Sequence, residues 1–236
     1  MRKEGGERLR RGERYILLVL WIATTGFIGL MIAASWPDYW RYVASETAPL
    51  AWLESVLLLL TAFVAGLMAF TENASGGSRK AGLSWAVMAA AFVWLSLDER
   101  FALHERLRDR FLKPTGFRLL PWMEAGDWII PLYAVCGLAA VWSIWRLLGR
   151  NRTARYFFAA ALLLAFCAVA MDTINIRELD KDTERLLQSV EEVLETIAMA
   201  SFLSAFLCVW TRKIGGLIHQ AQGLGKAEFT RGPDVL

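Results

Sequence analysis

Eight carboxylates and one imidazole stand at or just beyond the ends of long apolar stretches: Glu54, Asp98, Glu99, His104, Glu105, Asp172, Glu191, Glu192 and Glu195. Ionisable side chains cost about 2.5–3.5 kcal/mol each when carried into hydrocarbon, so a group of them at one depth is a functional-site hypothesis by default. Oxygen-rich donor sets suit Mg²⁺, Mn²⁺, Ca²⁺ or iron better than zinc or copper, which prefer nitrogen and sulfur. The expected cofactor is a divalent metal ion, one of Mn, Fe, Mg or Zn. In this reading Asp98, Glu105, Asp172, Glu191 and Glu195 are metal ligands and His104 and Glu54 do acid and base work. Glu99 and Glu192 are further candidates.

The elements that must position these residues are membrane spans. The chain is 56% hydrophobic with 11 Trp, and its apolar residues come in blocks long enough to cross a bilayer. Spans are expected near 15–34, 50–70, 81–99, 128–147, 156–175 and 192–211, each about 20 residues, the length that crosses roughly 30 Å of hydrocarbon. The fold class is therefore all-α, a polytopic membrane protein with six transmembrane helices in one bundle. Residues 1–14 form a basic tail, 15–211 the transmembrane domain and 212–236 a flexible tail. Lys and Arg number 16 in the tails and connections on the side of the termini and 10 on the other. Both termini are accordingly expected in the cytoplasm, and the acidic residues at the extracytoplasmic end of an inner, or plasma, membrane protein. The net charge of +3 follows from this topology and makes no case for nucleic acid.

The apolar run before Asp98 spans 83–97 and that before Asp172 spans 156–171, both short of a full crossing, so each helix takes its carboxylate to the membrane surface or into it. At 100° per residue, Asp98 and Glu105 share a face if one helix runs through both, and Glu191 and Glu195 share another. Plainer readings stand beside these. Ser189-x-x-Glu192 fits a capping box opening the sixth span. Residues 99–113 fit an interfacial helix with Phe101, Leu103, Leu107, Phe111 and Leu112 on its apolar side.

Several chemistries are excluded. No Lys lies within an expected span, which removes a retinal Schiff base, and His219 in the tail cannot join His104 across the bilayer to hold a haem. There is no Gly-x-Ser-x-Gly, no His-Glu-x-x-His and no phosphate-binding glycine loop. Cys136, Cys167 and Cys208 lie in different spans without metal or redox spacing and read as small packing residues.

The run Asp98-Glu99-Arg100-Phe101-Ala102-Leu103-His104-Glu105, followed by Met171-Asp172 and Glu191-Glu192-x-x-Glu195, resembles a pattern in uncharacterised bacterial polytopic membrane proteins with an Asp-Glu-x4-His-Glu motif. The resemblance implies a shared polar site on a helical membrane bundle and names no reaction. The leading expectation is a membrane metalloenzyme with membrane lipids around it, acting on a lipid or lipid-linked substrate. A cation or proton-coupled transporter using the same acids is the alternative, and a non-catalytic scaffold the third.

Overall fold

The computed structural model describes residues 2–44, 48–117, 129–172 and 180–230. Among them the protein is all helix: α1 (Arg2–Ala34), α2 (Pro49–Ala74), α3 (Arg79–Phe101), α4 (Leu103–Leu107), α5 (Ile129–Leu147), α6 (Arg152–Asp172) and α7 (Lys181–Thr230). A 3-10 turn at Tyr39–Tyr42 follows α1, and α4 runs on through a π turn at Arg108–Leu112 and a 3-10 turn at Lys113–Thr115.

Five of these helices, α1, α2, α3, α6 and α7, are long and apolar enough to cross a membrane, and α5 adds a shorter apolar stretch over Val135–Leu147. Their outward faces carry Phe63, Phe70, Leu138 and Phe166, each more than 60% exposed. So continuous an apolar exterior is unsuited to water and matched to lipid.

Helix ends depart from the expected spans. The first and last helices extend well past 15–34 and 192–211, because the polar residues flanking them are also helix formers and hydropathy does not register where such a helix stops. The segment after 211 continues as helix to Thr230. The expected capping box at Ser189-x-x-Glu192 is corrected: Ser189 lies inside α7 and its hydroxyl donates to the Arg185 carbonyl at 2.8 Å. The cap is one turn upstream of Arg185, where Asp180 accepts from the Thr183 backbone N–H at 2.9 Å and the Thr183 hydroxyl at 2.8 Å. Those bonds favour the ionised carboxyl and hold Asp180 below the usual carboxylate range.

The core lies between α2, α3, α6 and α7. Trp85 of α3 meets Phe206 of α7 edge to face at 5.2 Å, and Phe92 contacts Phe202 and Phe206 at 5.9 and 5.4 Å. Phe158 of α6 closes on Phe202 at 5.7 Å. Edge-to-face pairs of this kind each contribute about 0.5–1.5 kcal/mol beyond the area they bury, and here they lock three helices at one level. Polar ties hold the end that carries the termini. Lys213 pairs with Glu72 at 2.9 Å, the Thr211 hydroxyl donates to Glu13 at 2.7 Å, and Asn151 donates to the Cys208 carbonyl at 2.9 Å. The α2–α3 turn depends on glycine: Gly76 has φ +65°, and a Cβ at Gly77 would strike the Glu72 carboxylate.

Candidate functional site

The site is assembled at the opposite end from those ties. It draws on the start of α2, the end of α3, α4, the early part of α5 and the turn of α7 from Glu192 to Thr196. On α3, Met88, Ala91, Phe92, Leu95 and Asp98 with Glu99 recur every three or four residues and so form one stripe whose polar end is the carboxylate pair. On α7 the stripe is Glu192, Glu195, Met199 and Phe202. The acids are thus the last steps of core-facing faces, which is why the helices aim them inward.

Carboxylate oxygens of Glu54, Glu99 and Glu195 lie within 4.8 Å of one another. Glu54 has no exposed surface, and its Oε2 has no hydrogen-bond partner among the described residues. Its Oε1 is 2.6 Å from the Thr196 hydroxyl, which is also 2.9 Å from the Glu192 carbonyl. One hydroxyl proton cannot serve both acceptors, so Thr196 either donates to Glu54 or accepts from it while donating to the carbonyl. Glu192 is close enough to act on Glu54 electrostatically. At 4.8 Å and an effective dielectric of about 20, two ionised carboxylates repel by about 3.5 kcal/mol. Three together are stable only with positive charge among them, either protons or a cation. Hard divalent ions take oxygens at about 2.0–2.6 Å, which sets their ligand oxygens roughly 3–5 Å apart, the scale of this triplet. The partnerless Oε2 of Glu54 leaves one buried acceptor in this group unsatisfied among the described residues.

Asp98 is organised differently. Ala102 adopts φ 47°, ψ 48°, the left-handed conformation, and ends α3. The chain then turns so that Asp98 Oδ1 accepts from the His104 backbone N–H at 2.7 Å and Oδ2 accepts from His104 Nδ1 at 2.9 Å. This corrects the expected shared face of Asp98 and Glu105, which required one continuous helix through both. A carboxylate on Nδ1 sets the tautomer and leaves Nε2 as the proton-exchanging nitrogen. Tyr133 of α5 completes the group: Trp94 Nε1 donates to its hydroxyl at 2.7 Å, and its ring lies 6.0 Å from that of His104.

Of the expected site residues, the structure brings Glu54 and Glu195 together with Glu99, and Asp98 together with His104. Glu192 lines the same cavity, while Glu191 lies outside the triplet. The side chains of Glu105 and Asp172 lie outside those described. Thr196 and Tyr133 were not anticipated. Thr196 stands four residues after Glu192, the spacing at which a threonine bonds back to a helix carbonyl, and that spacing is legible in the sequence. Tyr133 carries no such signal.

Beneath the acids and His104 a cavity of about 630 Å³ extends into the bundle. Its walls are apolar stripes: Met88 to Leu95 on α3, Gly137 to Ile144 on α5, Phe158 to Val169 on α6 and Ala198 to Phe202 on α7. Polar chemistry is confined to one end.

Residues 14–210 match a family described as a domain of unknown function, DUF8692, and the chain belongs to that family. No curated protein and no solved structure matches it.

Proposed function

We propose that this member of the DUF8692 family is a six-span inner-membrane enzyme with a divalent-metal centre at its extracytoplasmic end. In this reading α5 joins the five longer helices as the fourth of the six spans, and both termini are cytoplasmic. The observation that carries the reading is the triplet of Glu54, Glu99 and Glu195, one of them fully buried with a partnerless oxygen, at the head of an apolar cavity. Glu54, Glu99 and Glu195 would hold the ion, and Thr196 would orient Glu54. Asp98 is a positioning residue: it fixes His104 so that Nε2 takes up or releases a proton at the substrate's head group. When bound, the ion supplies Lewis acidity to an ester, amide or phosphoester in that head group. The substrate class is a lipid or lipid-linked molecule, because everything below the polar end is hydrocarbon-like. The lining also supports catalysis over transport, since a cation path through this cavity would need polar lining residues at the level of Phe92, Phe158 and Phe202.

Elemental analysis of detergent-purified protein tests this. Stoichiometric Mn, Fe, Mg or Zn in the wild type, lost in Glu99→Gln and Glu195→Gln but kept in Asp98→Asn, is the expected result. A well-folded wild type without metal overturns the reading.

A further inference from the structure

The depth of the cavity is informative about what enters it. From Asp98 down to Met88 on α3 is ten residues, and from Val169 down to Phe158 on α6 is eleven. At 1.5 Å per residue each path descends about 15 Å, half of a hydrocarbon core that is about 30 Å thick. The lining residues farthest from the acids are Met88, Ile144 and Phe158, each no more than 6% exposed, and the Trp85–Phe206 pair packs in the same core. The cavity is therefore about one leaflet deep, polar only where head groups sit and shut near the midplane.

We infer that this cavity seats a straight hydrocarbon chain of a lipid drawn from the leaflet on the site's side, with its head at Glu99, Glu195 and His104 and its end on Met88, Ile144 and Phe158. With C–C bonds of about 1.5 Å a zigzag chain advances about 1.25 Å per methylene, so about 12 carbons fill the depth. Small residues widen the walls along the way, Ala91 on α3, Ala140 on α5 and Ala165 on α6 among them. Lipid tails are as apolar as the lining, so moving a chain from bilayer to cavity yields no hydrophobic driving force. What the seat provides is register: a chain bottomed on the floor holds its head group at a fixed height beside the carboxylates. This rests on the reading of the site as a metal centre for what is done to that head group. The seat itself is testable without metal or turnover.

The probe is dodecanoic acid carrying a terminal diazirine, photolysed with the full-length protein in phosphatidylcholine vesicles. The expected result is label concentrated on Met88, Ile144 and Phe158, localised residue by residue by fragment-ion sequencing, at least tenfold above the outward-facing Leu163 and Phe166. Ala91→Trp and Ala165→Trp should each reduce floor labelling at least tenfold and leave the exterior label unchanged. Excess unlabelled dodecanoic acid should compete the floor label from the wild type, a check independent of how the variants fold. Label spread evenly over Leu138, Leu163 and Phe166, or floor label insensitive to competition, overturns the seat. Floor label in a protein without metal would leave the seat standing and remove the metal reading, and metal with scattered label would do the reverse.

Discussion

Replacing Thr196 with valine isolates one bond at the buried end of the site. Valine keeps the branched shape and removes only the hydroxyl that lies 2.6 Å from Glu54 Oε1, leaving Glu54, already without a partner at Oε2, with no side-chain hydrogen bond among the described residues. Interhelical hydrogen bonds within membranes average about 0.6 kcal/mol in double-mutant cycles, which sets the expected cost in metal-free protein. A bound cation holds Glu54 as a carboxylate, and hydrogen bonds to charged groups contribute about 1.5–3 kcal/mol. The difference, about 1–2.4 kcal/mol, corresponds to a roughly 5- to 60-fold weaker metal affinity at tenfold per 1.4 kcal/mol. Orienting partners of metal ligands generally fall in a similar range of 10–100-fold. Titration calorimetry with Mn²⁺ on wild type and Thr196→Val, with thermal unfolding in chelator as the folding control, measures both quantities. A variant that unfolds like the wild type in chelator and binds Mn²⁺ equally well would refute the assignment of Glu54 as a ligand.

Two further outcomes follow from the backbone. Ala102→Gly relieves a left-handed conformation that costs an L-residue about 1–2 kcal/mol, against a larger loss of unfolded-state entropy for glycine. The expected result is a thermal midpoint at or above that of the wild type, with a lower one for Ala102→Val. The Asp180 carboxyl is held below the usual range by its bonds to Thr183, so its cap is present above the unfolded-state value near 3.9 and is lost as pH falls through the lower folded value. Amide exchange at 181–184, measured against pH and corrected for intrinsic rates, should lose protection only in acid for wild type and be fast throughout for Asp180→Ala.

The membrane helices were legible because a bilayer demands an unbroken apolar length and the chain supplies it in separate blocks. Their ends were not, because residues such as Arg10 and Arg212 extend a helix into water at little cost. That Glu54 and Glu195 lie together at one end of the bundle was legible from their place near the ends of apolar runs on one side. The division of labour between Asp98 and Glu99 did not follow, since it turns on a break at Ala102 that has neither glycine nor proline to announce it. Helical phase carried Asp98 toward Glu105, whereas one left-handed residue delivers it to His104. The pairing of Tyr133 with Trp94 spans two distant helices and has no local pattern.

The bond between Glu54 and Thr196 also bears on how the protein is made. Its two halves are 142 residues apart, so at about 5–20 residues per second the ribosome supplies Thr196 some 7–30 s after Glu54. For that interval α2 must lie in the bilayer, or beside the insertion machinery, with its carboxyl unaccompanied. The long apolar run of α2 that follows Glu54 is what carries that group across. The apolar richness of α2 is therefore a requirement of biosynthetic order as much as of the finished bundle.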